Sequence, residues 1–589
     1  MKHKATVADN QPDDQLHIPV RDDNKPYTIE DLYPDQKRIM FRVLKKIKEW
    51  LACEDMSNFK PLYLTIDGPG GSGKSVVINT IVAVLRRMFH CNGVVSVAAP
   101  SGNAAFNVNG TTMHTLVSMA LNDKGTITDV KKIKKLSERF KVMLCLIVDE
   151  RSLIGTRDFG CMEKRIKQVI HQKTGNQEQM FGGLPVVIVA GDDYQLPSMS
   201  SIINSFQKTK MLELEGRGVL ALLECARCVV QLKTSRRLAD SQAHQKVLLG
   251  KTRLGGLDMT QIEINKLMSL HLDNHGRVFG EKAVQVIRKK AVYLFYTNDK
   301  KNAHNMQMLH EVSSETNPVA FITPHSFGLR KFGKGIASHY NTNSKNAART
   351  CLLCVGAVVT IDGRNFNPTW GLYNGARGTV DEVIFARGEN PNTGNLPTHV
   401  VVHFPAYKGP PWDLANPKDI PIPLIDTRCE TMKCPCYRTH VPLTLAWAST
   451  VHKFQGQSAG PVDEGKIPNT CDVVICDPHD KKAETTALGL FYTILSRATT
   501  LGNTEGLGSA VYFIGPSLNQ ERVTNIGQLK NSLDFSKPFQ KRHAWVNHLM
   551  LGLDENNLED HEQLQLQNWS DSIELGEKEL TQLILSRAN

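Results

Sequence analysis

Between residues 62 and 191 short apolar runs alternate with amphipathic stretches, the pattern of strands and helices in a mostly parallel α/β sheet. Four runs are predicted as strands: residues 62–66, 94–99, 144–148 and 186–190. Each runs directly into a polar segment at its carboxyl end, where open α/β sheets bind ligands, so the chemistry is expected along that edge. A second region, residues 229–513, repeats strand-like runs at 291–295, 473–476 and 510–513. Within it, residues 355–441 carry short strands such as 400–404 between Gly, Pro and Asn clusters, which predicts a small inserted β-barrel module. Residues 1–24 are expected to form a loosely ordered arm. The tail beyond Lys541, with Glu555, Glu559, Asp560 and Glu562 close together, is expected to be a solvated helical appendage.

Composition narrows the classes. A chain of 589 residues exceeds one hydrophobic core, and 41% apolar with 22% charged residues excludes a disordered or fibrous protein. The formal charge of +11 favours a polyanionic partner without establishing one, because basic metabolic enzymes exist. Thirteen cysteines without regular spacing point to a reducing compartment rather than a disulfide framework. No apolar run approaches the roughly 20 residues that span a bilayer, so a soluble intracellular protein is expected, with nucleus, cytoplasm and mitochondrion left open. The run Lys131-Lys132-Ile133-Lys134-Lys135 reads as a solvated face. The spacings Cys225/Cys228, Cys351/Cys354 and Cys429/Cys434/Cys436/His440 permit zinc, but no two pairs have finger separation and none is expected to bind it.

The chemistry begins at Gly68-Pro69-Gly70-Gly71-Ser72-Gly73-Lys74-Ser75, which fits the GxxxxGKS phosphate loop. It follows a predicted strand and opens a helix whose Val77, Ile78, Ile81, Val82 and Leu85 form one apolar face. Glycines let backbone N–H groups turn onto phosphates, the helix amino end adds partial positive charge, Lys74 reaches the outer phosphates and Ser75 offers a hydroxyl to Mg²⁺. Asp149 and Glu150 end the 144–148 run, the residue types needed to hold that metal and to accept a proton from water. At the end of the next run, Gly191-Asp192-Asp193-Tyr194-Gln195-Leu196-Pro197 places Gln195 to hydrogen-bond a γ-phosphate or the attacking water.

Further segments add an ordered series. Tyr33-Pro34-Asp35-Gln36 precedes the phosphate loop; Ala99-Pro100-Ser101-Gly102-Asn103-Ala104-Ala105 and Thr112-Met113-His114-Thr115 follow it. Then come Leu232-Lys233-Thr234-Ser235-Arg236-Arg237, Leu372-Tyr373-Asn374-Gly375-Ala376-Arg377-Gly378-Thr379-Val380, the run from Pro442 through His452-Lys453-Phe454-Gln455-Gly456-Gln457-Ser458, and Tyr492-Thr493-Ile494-Leu495-Ser496-Arg497-Ala498. In this order the segments resemble the superfamily 1B DNA helicases of the petite integration frequency (PIF) family and their RecD-like relatives, over residues 33–513.

The resemblance implies an α/β fold of two RecA-like phosphate-loop NTPase domains with parallel sheets and an inserted SH3-like β-barrel. Domain 1A would span 28–228 with a short insert near 118–140, domain 2A 229–354 and 442–530, and the SH3-like 2B insert 355–441. Residues 1–27 and 531–589 would flank them as an arm and a helical appendage. The cofactors implied are ATP and Mg²⁺, the partners single-stranded and tailed duplex DNA. Lys74, Asp149, Glu150, Gln195, Arg237 and Arg497 would be catalytic, with the five-residue step from Leu232 favouring Arg237 over Arg236. Gln36 would read adenine, Gly68 through Ser75 and Gly456 would line the nucleotide, and Ser75 and Asp149 would hold the metal. Gly102, Asn103, Phe106, His114, His452 and Lys453 would touch DNA, although Phe106 reads equally as a core aromatic.

The activity implied is 5′-to-3′ translocation with duplex unwinding, in repair, recombination, or replication and telomere maintenance. Alternatives are the helicase module of a Helitron-type mobile element and a DNA-dependent ATPase without processive unwinding. A kinase or a silent scaffold fits the later motifs poorly. Ser101, Arg151, Asp193, Ser198 and Ser458 depart from the usual residue types; relatives commonly carry an apolar residue at the position of Arg151 and an aromatic at that of Asp193.

Overall fold

The computed structural model describes residues 16–21, 23–120, 124–174, 179–205, 208, 210–238, 240–254, 259–327, 351–389, 395–428, 437–461, 471–478, 489–503, 506–515, 538–573 and 575–586. The chain divides into two compact units, one of Met1–Glu281, Gln455–Lys466 and Pro478–Asn589, the other of Lys282–Phe454 and Ile467–Asp477.

The first unit is built on six strands: β1 (Leu62–Asp67), β2 (Val95–Ala99), β3 (Thr111–Thr112), β4 (Cys145–Val148), β5 (Val186–Gly191) and β6 (Val229–Gln231). Their order is β3-β2-β4-β5-β1-β6 and every pairing is parallel. β4 and β5 are buried along their whole length, which is why they read as unbroken apolar runs rather than alternating ones. The four strands expected from the sequence lie where the pattern put them, within a residue at each end.

Helices α1 (Pro34–Ala52) and α2 (Lys74–Phe89) belong to one core layer, through Ile39, Val43, Leu44 and Ile47 of α1 and Val77, Ile78, Ile81 and Leu85 of α2. The helices Thr156–Thr174 and Glu213–Cys225 belong to a second core, and two glycines set their approach. A Cβ on Gly160 would lie 2.0 Å from the Leu214 carbonyl oxygen and one on Gly218 1.8 Å from that of Thr156, so only glycine lets these backbones touch. Helix Val130–Arg139 buries Leu136 and leaves Lys131, Lys132, Lys134 and Lys135 exposed, the solvated face expected.

The C-terminal helices Pro538–Leu551, Asp560–Ser572 and Glu577–Ser586 correct the expectation of a solvated tail. Trp545, Leu549, Leu566 and Leu580 are buried in the two cores, each such side chain being worth about 1.5–3 kcal/mol. Glu555, Glu559 and Asp560 stay exposed. The acidic residues dominated the composition of the tail and masked a sparse apolar stripe. Arg42 of α1 ties the segment down, donating to Asp554 and, at 2.8 Å, to the Asn556 carbonyl.

In the second unit, Ala448–Thr450 and Val473–Asp477 each pair in parallel with Ala291–Phe295. A five-stranded antiparallel sheet follows the order Asp419–Pro423, His399–His403, Arg377–Ile384, Val358–Ile361, Leu443–Leu445. Val359, Ile361, Val380, Val400, Val402 and Phe404 form its core. The described strands between residues 355 and 441 thus lie in sequence between strands of the parallel sheet, where the Gly- and Pro-punctuated pattern predicted short strands. Among the described residues no helix is long and apolar enough to cross a membrane.

Candidate active site

The site is assembled at the carboxyl ends of β1, β2, β4 and β5. Beyond β1 the chain enters the left-handed region at Gly71 (φ 82°) and Gly73 (φ 84°), and Gly73 caps α2. A Cβ at Gly71 would collide with the Arg237 Cβ, so this position needs glycine for both conformation and space, and Gly73 needs it for its left-handed conformation. Lys74, half-buried in the first turn of α2, donates from Nζ to the Gly68 carbonyl at 2.7 Å and to that of Pro69 at 3.1 Å. Burial pulls its pKa down, against the opposing pull of Asp192, Asp149, Glu150 and Asp67. Ser72 Oγ is buried without a hydrogen-bond partner among the described residues, and Ser75 is half-buried in the same turn as Lys74.

Asp149 follows β4, its backbone N–H bonded to the Ala98 carbonyl at 2.9 Å. Its carboxyl is 7% exposed, and Oδ1 has no hydrogen-bond partner among the described residues. Burial, reinforced by neighbouring Glu150, pushes this acid up to about 7 despite Lys74. Glu150 itself sits at φ 57°, ψ 52°, a left-handed conformation that costs a non-glycine residue about 1 kcal/mol and turns the chain sharply at the strand end. The hydroxyls of Ser72 and Ser75 and the Asp149 carboxylate are hard oxygen donors suited to Mg²⁺, which commonly takes one or two carboxylates together with phosphate oxygens. No cluster of three or more His, Cys, Asp or Glu suited to a metal occurs among the described residues. Cys429, Cys434 and Cys436 lie outside the described residues, while His440 bonds Thr427 at 3.0 Å and the Val441 carbonyl at 3.1 Å.

Beyond β5, Gln195 is a hub. Its Oε1 accepts from Arg497 Nη2 and, at 3.4 Å, from Gln455 Nε2, while its Nε2 lies 3.5 Å from Asp192 Oδ2. Asp192 Oδ2 also accepts from the Gly70 N–H at 3.1 Å and from the Tyr492 hydroxyl at 2.6 Å. Arg253 donates to the other oxygen of Asp192 at 3.1 Å and lies over the Tyr194 ring at 4.3 Å. Burial pushes Asp192 upward, but Arg253 and Lys74 outweigh it and hold the carboxyl below its usual range. Arg497 Nη1 stands 3.9 Å from Glu150 Oε1. One network thus joins the phosphate loop, the acidic pair and the glutamine.

The two adjacent arginines diverge. Arg236 lies over the Tyr33 ring at 3.7 Å and donates to Asp35 at 3.1 Å and to the Ser72 carbonyl at 3.3 Å. Arg237 turns the other way, donating to the Ser496 carbonyl beside Arg497. Its pKa is lowered, first by burial and then by Arg497. Gln36 accepts from the Tyr33 N–H at 3.0 Å and donates to the Ser72 carbonyl at 3.2 Å, tying α1 to the phosphate loop.

Gly102, Asn103 and Phe106 lie on the short helix α3 (Gly102–Asn107) after β2, with Gly102 and Asn103 buried and Phe106 half-buried. His114 is half-buried in the helical turn Met113–Leu116. Gly456 packs against Ala104 and accepts the Asn107 amide on its carbonyl, so it stands on the α3 side of the site, while Gln455 reaches Gln195 and Ser152. In the second unit His452 lies 6.2 Å from the Tyr296 ring, and exposed Lys453 pairs with Asp362 at 3.4 Å. Sequence reasoning assigned no role to Asp192, Arg253, Gln455 or Tyr492. Three of these stood inside quoted motifs; only Arg253, in an unremarkable helix end, carried no signal.

The sheet and its loop define the class, a phosphate-loop α/β protein of RecA-like architecture. Residues 36–248 match the family described as PIF1-like helicase. It is 30% identical over 158 residues to an ATP-dependent DNA helicase Pif1 of Psychrobacter sp., covering 26% of this chain and 22% of that protein. It is 26% identical over 443 residues to an ATP-dependent DNA helicase PIF1 of Emericella nidulans, covering 68% of this chain and 54% of that one. The chain therefore spans at most about half the length of these curated relatives. Among solved structures, Pif1 helicase from Candida albicans superposes with a TM-score of 0.56 at 20% identity, covering 85% of this chain and 98% of that one. Bacteroides Pif1 bound to single-stranded DNA gives 0.52 at 19% identity, covering 83% and 93%. These likenesses establish the fold.

Proposed function

We propose that this chain is an ATP-driven DNA helicase that moves 5′-to-3′ along single-stranded DNA and unwinds tailed duplexes. The observation that carries the reading is the hydrogen-bonded path from Arg497 through Gln195 and Asp192 to the Gly70 N–H of the phosphate loop. It links an arginine, a polar sensor and a phosphate cradle, the parts that phosphoryl transfer to water requires. The names of the relatives and the DNA-bound Bacteroides structure support DNA as the track.

In this reading the loop N–H groups and Lys74 hold the phosphates, and Ser75 and Asp149 hold Mg²⁺. Bound there, Mg-ATP supplies the transferable phosphoryl group and the cation that offsets its charge. Glu150 accepts the proton of the attacking water and Gln195 orients that water. Arg237 and Arg497 spread guanidinium donors over charge that develops during transfer. Gly102, Asn103, Phe106, His114, His452 and Lys453 meet the strand. The RecA-like domains are residues 28–228 and 229–354 with 442–530, and the antiparallel sheet inserted at 355–441 is the SH3-like module.

The test is ATP turnover by the purified chain with and without single-stranded DNA. Stimulation by DNA that Lys74→Ala abolishes, with nucleotide-free strand binding retained, is the expected result. Turnover indifferent to DNA, or unchanged in Lys74→Ala, would remove the reading.

A further inference from the structure

The loop that carries Gln195 is gripped from a helix more than three hundred residues downstream. Trp545, 0% exposed in Pro538–Leu551, donates from Nε1 to Asp193 Oδ2 at 2.7 Å. Three residues earlier on that helix, Arg542 donates from Nη1 to the Tyr194 carbonyl at 3.2 Å and from Nη2 to the Gln195 carbonyl at 3.0 Å. From the opposite side Arg151, 1% exposed, donates to Asp193 Oδ2 through Nε at 3.0 Å and Nη2 at 2.7 Å, and reaches Asp67 Oδ1 at 3.0 Å. Two of the departures noted in the sequence, Arg151 and Asp193, thus meet as one buried ion pair.

A buried carboxylate needs donors, and both Arg151 and the Trp545 indole converge on Asp193 Oδ2, while Oδ1 is buried without a hydrogen-bond partner among the described residues. Asp193 thus draws the two together through one oxygen. Arg151 directly follows Glu150, and Asp193 stands two residues before Gln195, so the pair fixes the spacing between the two strand ends that carry them. The Arg542 fork grips two consecutive carbonyls and thereby sets the backbone from which the Gln195 side chain projects toward Arg497 and Asp192.

We infer that helix Pro538–Leu551 is a positioning element for ATP hydrolysis, with Arg542 and Trp545 holding the backbone of the Gln195 loop in its working geometry. The inference rests on the ATPase reading above. A displacement of about 1 Å at a group that orients water costs on the order of 10²-fold in rate, so loosening the grip acts on chemistry before it acts on binding.

The experiment uses the full chain with Trp545→Phe, which keeps an aromatic ring but removes the N–H donor, and with Arg542→Lys and Arg542→Met. DNA-stimulated kcat is expected to fall by roughly 10-fold or more in Trp545→Phe and Arg542→Met. The KM for ATP and nucleotide-free affinity for single-stranded DNA should stay within about 3-fold, because neither the phosphate cradle nor the strand contacts are touched. Arg542→Lys, keeping a donor for one carbonyl, should fall between wild type and Arg542→Met when all are assayed well below their unfolding midpoints. Wild-type kcat in both Trp545→Phe and Arg542→Met overturns the inference, as does a loss that follows thermal stability instead of the Arg, Lys, Met order. If wild type itself shows no DNA-stimulated turnover, or Lys74→Ala retains it, the underlying ATPase reading has failed instead.

Discussion

Arg497 donates from Nη2 to the side-chain oxygen of Gln195 across 302 positions of sequence, and its Nη1 stands 3.9 Å from Glu150. The guanidinium therefore faces the proposed water-orienting amide and the proposed base together. Its Nε is buried with no hydrogen-bond partner among the described residues. Arg497→Lys keeps one charge but loses the planar fork, so it cannot hold Gln195 and face Glu150 in the same geometry. Arginines acting on a transferring phosphoryl group are worth on the order of 10³ to 10⁵ in turnover. DNA-stimulated turnover in Arg497→Lys should fall by at least about 10-fold, with ATP affinity falling less. Wild-type stimulated turnover would contradict this role.

Glu150 occupies a left-handed backbone position just beyond β4, and its carboxylate stands 3.9 Å from Arg497 Nη1. Glu150→Gln preserves shape and hydrogen bonding but cannot accept a proton, so it should bind ATP and fail to hydrolyse it. Filter binding of labelled ATP alongside turnover separates the two. A mutant that binds no nucleotide would mean that the carboxylate shapes the pocket rather than acting as base.

Arg236 and Arg237, adjacent in sequence, should fail in different ways. Arg236 is engaged with Tyr33, Asp35 and the Ser72 carbonyl, the side of the loop tethered by Gln36. Arg237 lies with Ser496 and Arg497. Arg236→Ala should raise the KM for ATP several-fold with little change in kcat, and Arg237→Ala should lower kcat by about 10-fold or more. Steady-state kinetics of the pair decide it; the opposite split would exchange the two roles.

Much of this site was legible because its parts stand at strand ends. An apolar run followed by Gly68 to Ser75, by Asp149 and Glu150, or by Asp192 to Gln195 gives both the element and the edge on which it opens. The parallel order of the strands brings those three ends together. Pairing across long separations was not legible. Nothing local in Arg253 signals that it neutralises Asp192, and Arg151 and Asp193 read as unrelated departures in sequence although they form one buried ion pair. The tail was misread for a physical reason: exposed acids are frequent and conspicuous in sequence, while Trp545, Leu549, Leu566 and Leu580 are widely spaced on three helices. The short strands within residues 355–441 were visible between their glycine and proline clusters, but their order was not.

Strand displacement on tailed duplexes tests the central claim most directly, because it demands nucleotide hydrolysis, DNA engagement and direction in one readout. A duplex with a 5′ single-stranded tail should be opened by the wild-type chain with ATP and Mg²⁺, and one with only a 3′ tail should stay closed. Omitting ATP, or substituting Lys74→Ala, should leave both intact. Opening of the 3′-tailed duplex alone would contradict the direction, and failure to open any tailed duplex under conditions of active ATP turnover would contradict the helicase itself.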